Sequence, residues 1–426
     1  MVHPTPQPPI AASRAPSRLL TQVRSLCVAV WCVAGFLWSA TTHAAPDVVR
    51  IGVATAGGGN PITWGGSPGS VARANRWLEE AFDKQGVRVE WFFFKGAGPA
   101  VNEALSNDQI DFAYQGDLPS VIGRANGLKT KILLGSGTRN NLYLVTPPQS
   151  DITGIEDLKH RKVSIFRGTN GHLVANKLLA SHGLTERDVK GVNLDTGSAQ
   201  AALVSNGVDA AFGGYEYFKL RDQGLVKIVY SSQGKDPTFT RQASLLVRNS
   251  FEEAHPDAVQ TVVDVFVRAA QWASDEQHRA ALFELWSRSG TPQASFEAEF
   301  KDQSLAARNS PLLDGFLVAR YQDVADQARE LKLIRRDVTT EGWFEPRYLQ
   351  AALKRQGLER NWQAFDAKGL VDAGAHANAP AASAPPAPHA QTSPVDASVP
   401  ATTTTTTTTL PLASHAIAVA PQGALR

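Results

Sequence analysis

The chain has 426 residues, of which 43% are hydrophobic and 19% are charged, and its formal net charge is +2 at pH 7. This length allows about two globular domains plus tails, and the small net charge does not support binding of nucleic acid or a membrane surface through bulk charge. Both cysteines, Cys27 and Cys32, lie in an apolar N-terminal segment. If that segment is removed, the mature protein has no disulfide, thiol nucleophile or cysteine metal site.

Residues 1–44 have the parts of a secretory signal peptide: arginines, a short apolar core and small residues before a cleavage point. The core, residues 26–38, is shorter than a helix that spans a bilayer. We therefore predict cleavage near Ala44 or Ala45 and a secreted mature protein. An uncleaved N-terminal anchor is the alternative.

Residues 48–126 alternate between apolar runs typical of strands and amphipathic stretches typical of helices. A glycine-rich loop, residues 57–69, follows the first strand, and Ser70 is predicted to cap the helix behind it. This β-α order predicts a mostly parallel sheet with helices on both faces. In chain order the predicted strands are 48–53, 87–94 and 110–114, and the predicted helices are 71–82, 98–107 and 118–126.

The same alternation recurs over residues 142–212. Residues 104–114 align without a gap on residues 202–212, with Asp111 matching Asp209, although chance similarity between βα units is the alternative. We therefore predict two similar lobes, each with its own sheet. The second set of predicted strands is 142–145, 163–166, 192–194 and 208–212, and the predicted helices are 151–160, 172–181 and 198–205, with Ser198 as the cap of the last.

The rest of the chain combines two strands, long helices and a polar tail. We interpret the helices as a flank of the lobes and not as a third domain. From about residue 373 the chain is rich in Ala, Pro, Ser and Thr, so it cannot bury a core and is predicted to be a disordered tether or spacer. The predicted strands are 226–230 and 243–247, and the clearest helices are 256–272, 276–286 and 317–331.

The segment of residues 162–172 predicts an anion site. It reads as a strand, a turn with two glycines and the start of a helix, so free backbone N–H groups and the positive end of the helix dipole point out of the turn. Thr169 and Asn170 can add side-chain donors, and Arg167 can add a positive charge. The alternative is an ordinary βα connection that binds nothing.

No catalytic motif stands out. The sequence has no His-x-x-x-His or Cys-x-x-Cys spacing, no P-loop, no dinucleotide fingerprint and no Gly-x-Ser-x-Gly elbow after a strand. We therefore predict that the protein is not an enzyme and that it uses no cofactor and no metal ion.

Several short strings match a known family, most specifically Gly-Asp-Leu-Pro at residues 116–119 after an Ile-Asp pair. On these strings the chain resembles the periplasmic substrate-binding proteins of ABC importers for aliphatic sulfonates, taurine and nitrate, over about residues 47–360. The other matching strings are Gly98-Pro99, Glu103-Ala104-Leu105, Leu158-Lys159, Lys162-Val163, Gly168-Thr169 with His172, Gly183-Leu184, Val208-Asp209-Ala210, Trp343-Phe344 and Arg347-Tyr348-Leu349.

The resemblance implies an α/β, two-lobed periplasmic-binding-protein fold of type II, in which each lobe is a mostly parallel sheet flanked by helices and the ligand cleft lies between the lobes. It also implies a monomer that captures a small organic oxyanion, such as an aliphatic sulfonate, taurine or a sulfate ester, and delivers it to an ABC permease and its ATPase. The predicted divisions are 1–44 signal peptide, 45–138 first part of lobe I, 139–240 lobe II, 241–371 second part of lobe I, and 372–426 tail.

The turn chemistry and the resemblance together predict the ligand-binding residues. Sulfonate binders usually carry Trp, an acid and Pro after the Val-Asp-Ala strand, whereas this chain has residues 213–217 there. Either Gly214 replaces the Trp, or an insertion places Tyr215 there with Glu216 as the acid. The predicted residues are Ser70, Gln115, Gly116, Asp117, Arg167, Gly168, Thr169, Asn170, His172, Tyr215 and Glu216.

Several of these residues have a second interpretation. Arg167, like Arg139 and Arg241, is either a partner of the oxyanion or a solvated arginine. Asp117 is either a helix cap or a partner of the amine of a zwitterion such as taurine, and His172 is either an anion donor or a surface or capping histidine. Two rival functions also stay open. One is an enzyme on the same fold, like thiamine-pyrimidine synthases or a desulfinase, and the other is a ligand sensor that acts through a membrane receptor.

Overall fold

A computed structural model describes residues 44–372 of the chain. The predicted signal peptide and the predicted polar tail lie outside the described residues, apart from Ala44 and Asp372. Within the described range, no helix combines the length and the apolar composition that a membrane crossing requires.

Two five-stranded sheets form the two lobes. The sheet of lobe I has the strand order β2-β1-β3-β10-β4, and the sheet of lobe II has the order β7-β6-β8-β5-β9. The predicted two-lobed fold is confirmed. The strands are β1 Val48–Val53, β2 Arg88–Phe93, β3 Phe112–Gly116, β4 Thr130–Gly135, β5 Tyr143–Thr146, β6 Lys162–Ser164, β7 Lys190–Val192, β8 Ala210–Gly213, β9 Lys227–Ser231 and β10 Ala243–Arg248.

In each sheet one strand runs against the other four. It is β10 in lobe I, which pairs antiparallel with β3 and β4, and β5 in lobe II, which pairs antiparallel with β8 and β9. Each is the first strand after the chain has crossed from the other lobe. The crossing lies at the carboxyl ends of the parallel strands, so the next strand enters its sheet from that edge and runs in the opposite direction.

Helices cover both faces of each sheet, because the side chains of a strand alternate between the faces. In lobe I, Phe112 and Leu245 belong to one hydrophobic cluster, and their neighbours Ala113 and Leu246 belong to the cluster on the other face. The helices are α1 Pro68–Ala74, α2 Trp77–Asp83, α3 Ala97–Ser106, α4 Asp117–Ala125, α5 Asn170–Ser181, α6 Thr196–Val204, α7 Phe218–Asp222, α8 Asn249–Ala254, α9 Pro256–Ser274, α10 Arg279–Ser287, α11 Gln293–Glu299, α12 Leu305–Asn309, α13 Gly315–Glu330 and α14 Pro346–Gln356.

The helix predicted over residues 71–82 is two helices, α1 and α2. The chain breaks between them at Arg76, whose φ of 58° is left-handed. The cap of α1 is Ser67, whose hydroxyl accepts the N–H of Gly69, so the prediction of Ser70 as the cap is wrong. Pro68, at the first helical position, explains the earlier start.

Two other local predictions are wrong. Residues 151–160 contain only a 3-10 turn, Glu156–Leu158, because the carboxylate of Asp157 accepts the N–H groups of Thr153 and Gly154 and holds them in a turn. The cap of α6 is Asp195 instead of Ser198, since Asp195 Oδ1 accepts the N–H groups of Gly197 and Ser198. Both errors arise where a short side chain competes for backbone donors.

The chain crosses between the lobes twice, over residues 136–142 and 232–242. The two crossings pair antiparallel at Asn140 and Arg241. The predicted boundaries, after residues 138 and 240, fall within these two segments. A buried ion pair between Arg308 and Glu299, 3.0 Å apart, lies against the first crossing, because Arg308 Nε donates to the carbonyl of Thr138.

Candidate functional site

A cleft of about 590 Å³ lies between the two lobes. Its walls are the segments that directly follow strands β1, β2, β3, β6, β7 and β8, together with the crossing at Arg241 and the loop of residues 289–292 before α11. Ligands of open α/β sheets bind in this position, beyond the carboxyl ends of the strands. The cleft is therefore the candidate binding site.

Within residues 44–372, five helices begin at the cleft: α3, α4, α5, α6 and α11. The first turn of a helix carries unpaired N–H groups and a partial positive charge, so these ends favour an anion. In α5 no side chain caps the helix, because the hydroxyl of its N-cap, Thr169, donates to the carbonyl of Phe166. In α6 the donors are already used by Asp195. The start of α5 is thus the more available anion seat of the two.

Arg241 supplies a charged donor beside α5. Its Nη2 donates to the carbonyl of Asn141 at 2.7 Å, while its Nε is buried without a hydrogen-bond partner. A carbon added to Gly171, in the first turn of α5, would lie 3.9 Å from Arg241 Cδ. A buried donor without a partner is costly unless a ligand satisfies it. This arginine and the start of α5 together form a site suited to an oxyanion.

Gln115 has a second unsatisfied group in the cleft. The residue is 2% exposed, and its Nε2 donates to Asn102 Oδ1 at 3.2 Å. Its Oε1 is buried without a partner. The side chain of this cleft residue therefore leaves one buried acceptor unsatisfied.

Position 214 is a glycine because two neighbouring side chains occupy the space that a Cβ would take. A carbon added to it would lie 2.4 Å from Arg241 Nη2 and 2.6 Å from Glu216 Oε2. Its φ of −109° is open to any residue, so space and not backbone conformation requires glycine here. The guanidinium and the carboxylate thus both approach the side of Gly214 that a Cβ would occupy. Tyr215, the next residue, lines the cleft and donates across it to the carbonyl of Gly65 at 3.1 Å.

An aromatic wall completes the cleft. It consists of Trp64, Tyr114 and Tyr215, with ring centroids 5.5 Å apart for Trp64 and Tyr114. Burial raises the pKa of both tyrosine hydroxyls, so they stay protonated and can donate. Such residues present an apolar face and a polar tip to a ligand.

The mouth of the cleft carries an ion pair between the lobes. Lys95 follows β2 in lobe I and approaches Asp195 of lobe II to 3.8 Å, with 72% of the lysine side chain exposed. The hydrogen bonds from Ser198 lower the pKa of Asp195, so this carboxyl stays ionised. Exposed pairs of this kind contribute little to stability.

Six of the predicted residues line the cleft: Gln115, Gly116, Thr169, Asn170, Tyr215 and Glu216. The others do not, and each has a structural reason. Ser70 is fully buried and its hydroxyl donates to the carbonyl of Ser67. Gly168, whose φ is 76°, packs against Pro99, since an added carbon would lie 3.0 Å from that ring.

Arg167 and His172 both contact Glu186 behind the turn between β6 and α5, and neither lines the cleft. Arg167 Nε donates to Glu186 Oε1 at 2.7 Å, and His172 Nε2 lies 2.9 Å from Glu186 Oε2. His172 Nδ1 accepts the N–H of Gly168 at 3.3 Å, so it supports the turn. The predicted roles of these two residues as ligand contacts do not fit this arrangement.

Asp117 lies under the cleft and ties lobe I to the second crossing. Its Oδ1 accepts the N–H of Leu118 at 2.7 Å, and its Oδ2 accepts the N–H of Gln242 at 3.1 Å. The side chain is almost wholly buried, and this burial raises the pKa of Asp117 to about 7. The capping interpretation therefore fits the geometry better than a direct ligand contact.

Sequence reasoning did not single out several residues of the cleft wall. The rule that ligands bind beyond strand ends would have found two of them, since Lys95 follows β2 and Asp195 follows β7. Of the cationic candidates, Arg139 is not in the cleft but lies 4.4 and 3.9 Å from the rings of Phe316 and Phe365. The wall residues not singled out include Lys95, Asn140, Asp195, Gln200 and Lys219. Within residues 44–372, no group of three or more His, Cys, Asp or Glu side chains is placed to hold a metal ion.

Comparison with known proteins explains this architecture. Residues 80–280 match the family model described as NMT1/THI5 like. An aliphatic sulfonates-binding protein of Bacillus subtilis (strain 168) is 33% identical over 221 residues, which cover 50% of this chain and 64% of that protein, slightly under two thirds of its length. Another of that name, from Escherichia coli (strain K12), is 26% identical over 307 residues, covering 71% of this chain and 89% of that one.

A solved structure decides the family. It is the periplasmic sulfonate-binding protein SsuA of a sulfonate ABC transporter from Methylobacillus flagellatus KT, with 30% identity, a TM-score of 0.65, and coverage of 76% of this chain and 99% of that one. The chain belongs to this family of periplasmic sulfonate-binding proteins. The resemblance drawn from the sequence is confirmed.

One protein of the same fold, at lower identity, is an enzyme. The desulfurization enzyme DszB is 17% identical with a TM-score of 0.55, a likeness that shows the fold alone. A thiamine biosynthesis protein of Haemophilus influenzae is 25% identical over 282 residues, which cover 64% of this chain and 86% of that protein. The relatives with higher identity described above are binding proteins by name.

Proposed function

We propose that this protein is an extracytoplasmic solute-binding protein that captures an aliphatic sulfonate or a related organic oxyanion and delivers it to an ABC permease. The single observation that carries the proposal is Arg241, whose buried Nε has no partner and lies beside the uncapped start of α5. The names of its relatives support the choice of a sulfonate over other oxyanions.

The cleft has separate contacts for the oxyanion and for the organic tail of the ligand. The oxyanion lies against Arg241, Thr169 and Asn170, where a guanidinium and helix N–H groups meet it. The organic tail packs on the wall of Trp64 and Tyr215. Contacts from both lobes to one ligand stabilise the closed state, and the closed surface is what a permease recognises.

Several further points belong to the same proposal. The chain acts in the periplasm after removal of its signal peptide, as a monomer, with a permease and an ATPase as partners. We further propose that it binds its ligand without catalysing a reaction, because its relatives of higher identity are binding proteins by name.

Calorimetry on the mature protein, residues 45–426, tests this function. The panel contains alkanesulfonates, taurine, sulfate esters and nitrate. We expect one class to bind, and we expect Arg241→Gln to weaken that binding at least about tenfold, because a charge-assisted hydrogen bond is lost. Arg187→Gln, on an exposed arginine outside the cleft, is the matched control.

Either of two results would contradict the proposal. The first is that no oxyanion of the panel binds to the folded protein. The second is that Arg241→Gln and Arg187→Gln bind the ligand equally well, with unchanged thermal stability, since the oxyanion would then lie elsewhere.

A further inference from the structure

Tyr215 belongs to lobe II, but its side chain contacts lobe I. The residue follows β8, at the start of the 3-10 turn Tyr215–Tyr217. Its hydroxyl donates to the carbonyl of Gly65 at 3.1 Å, and its ring centroid lies 5.1 Å from that of Phe296 in α11. Gly65 and Phe296 both belong to lobe I, so Tyr215 joins the two lobes across the cleft.

Lobe I has a socket into which this side chain fits, formed by Gly65, Gly66 and Phe296. A carbon added to Gly66 would lie 2.6 Å from the hydroxyl oxygen of Tyr215 and 3.2 Å from its Cε1. The φ of Gly66 is 74°, a left-handed value that favours glycine. A side chain at position 66 would therefore exclude the tyrosine from the socket.

The socket is held in place by contacts within lobe I. Phe296 is fully buried, and its ring centroid lies 5.4 Å from that of Trp286 in α10. Trp286 Nε1 donates to the carbonyl of Ser67 at 3.2 Å, which fixes the end of the loop that forms the socket. Because the socket moves with lobe I and Tyr215 moves with lobe II, opening of the cleft withdraws the tyrosine.

The contact between Tyr215 and Gly65 favours the closed state independently of any ligand. Donor and acceptor are both protein atoms, and burial raises the pKa of the Tyr215 hydroxyl, so it carries its proton at neutral pH. One hydrogen bond of this kind shifts an equilibrium by about three- to tenfold. The ratio of closed to open molecules should therefore depend on this hydroxyl in the free protein as well as in the complex.

We propose that Tyr215 is a latch that holds the two lobes closed and slows the release of the ligand. Its hydroxyl acts on Gly65 and not on the oxyanion, which lies against Arg241. Tyr215 is thus a positioning residue, because it acts through the distance between the lobes. Only the effect on release rests on the proposed function, since closure of the free protein is measured without a ligand.

Single-molecule fluorescence transfer on the free mature protein tests the latch. Both native cysteines lie before residue 45, so Glu80→Cys in lobe I and Gln223→Cys in lobe II accept the two dyes without a competing thiol. Both positions are exposed and outside the cleft. We expect the ratio of closed to open molecules to fall by about three- to tenfold in Tyr215→Phe, which keeps the ring but loses the donor.

Gly66→Ala tests the same contact from lobe I. Its added carbon would meet the hydroxyl oxygen of Tyr215, so the ratio of closed to open molecules should fall at least as far as in Tyr215→Phe. Circular dichroism checks that this variant is folded. Tyr230→Phe, in β9 of lobe II, is the matched control, since it loses a hydroxyl outside the cleft and should leave the ratio within about twofold.

Stopped-flow fluorescence with butane-1-sulfonate measures the effect on release. In Tyr215→Phe the dissociation rate constant should rise about three- to tenfold. The association rate constant should stay within about twofold, because a latch acts after the ligand has entered the cleft.

Three results would overturn the latch. The first is an unchanged ratio of closed to open molecules in Tyr215→Phe, and faster dissociation with that unchanged ratio would place the hydroxyl on the ligand. The second is a ratio that falls in Tyr215→Phe but not in folded Gly66→Ala. The third is slower association with unchanged dissociation. If the ratio falls as expected in both variants but no sulfonate binds, the latch stands and the proposed function is wrong.

Discussion

Asp117 shows how a residue next to a binding site can serve the framework. The sequence places it after a strand and before a helix, which allows either a cap or a ligand contact. In the structure, the two carboxylate oxygens of Asp117 accept the N–H groups of Leu118 and Gln242. Asp117 therefore joins lobe I to the crossing that carries Arg241. Burial of this carboxyl raises its pKa from 3.8 to about 7 against the opposing effect of these hydrogen bonds.

A pH dependence of stability follows from Asp117. Because the folded-state pKa lies above the ordinary value, the contribution of this group is fully present below about pH 4 and is lost as the pH rises through about 7. Between about pH 5 and about pH 8 the wild type should lose on the order of 1–3 kcal/mol more unfolding free energy than Asp117→Asn. Urea denaturation at the two pH values measures this difference. Parallel losses in both proteins would show that Asp117 does not titrate in this range.

At the scale of elements, the turn between β6 and α5 is held in place by side chains that do not line the cleft. Glu186 accepts Arg167 Nε on one oxygen and meets His172 Nε2 on the other, and His172 Nδ1 accepts the N–H of Gly168. Since His172 is 3% exposed, removal of its imidazole would leave buried polar groups unsatisfied. The two residues predicted to touch the ligand therefore orient the turn that we propose binds it.

His172→Leu should weaken both the fold and the site. We expect the unfolding free energy to fall by about 1–3 kcal/mol and the affinity for the sulfonate to fall, because the N–H of Gly168 loses its acceptor and the turn loosens. His182→Leu, at the other end of α5, is the control and should leave the affinity within about twofold. Urea unfolding and calorimetry on the same samples give both values. An unchanged affinity in His172→Leu would mean that the turn holds its shape without the histidine.

At the scale of the whole molecule, a buried polar cluster ties the C-terminal helices of lobe I to both the crossing and lobe II. Glu299 pairs with Arg308 at 3.0 Å, accepts Asn141 Nδ2 at 2.9 Å and accepts the hydroxyl of Tyr143, in β5, at 2.6 Å. Both members of the ion pair are at most 3% exposed. Such a cluster specifies how the two lobes are joined, because every member needs all of its partners.

Loss of the charge of Glu299 should therefore be costly. We expect Glu299→Gln to lower the unfolding free energy by about 3–5 kcal/mol, because the guanidinium of Arg308 is then buried without its counter-charge. The control is Glu90→Gln in the exposed pair of Arg88 and Glu90, for which we expect a change within about 0.5 kcal/mol. Denaturant unfolding measures both. A small effect of Glu299→Gln would indicate that water reaches Arg308.

Much of the fold could be predicted from the sequence because it depends on local periodicity. The alternation of apolar strands with amphipathic helices, such as β1 and α3, follows from side-chain spacing within a dozen residues. The predictions failed where one side chain redirects the backbone, as at Ser67, Asp157 and Asp195. Hydrogen bonds from a side chain to nearby backbone N–H groups do not recur at a regular spacing, so they are hard to recognise in a single sequence.

The sequence by itself determined the two-lobed α/β class and the family, since both follow from short strings and strand ends, and it predicted the turn after β6 as an anion seat. Only the tertiary structure decided which charged groups face the cleft. Arg167 and Arg241 look alike in the sequence, but Glu186 holds the first behind the turn, while the bare Cα of Gly214 admits the second into the cleft. The physical reason is that the partners of a charged side chain lie far along the chain, so that only folding brings them together.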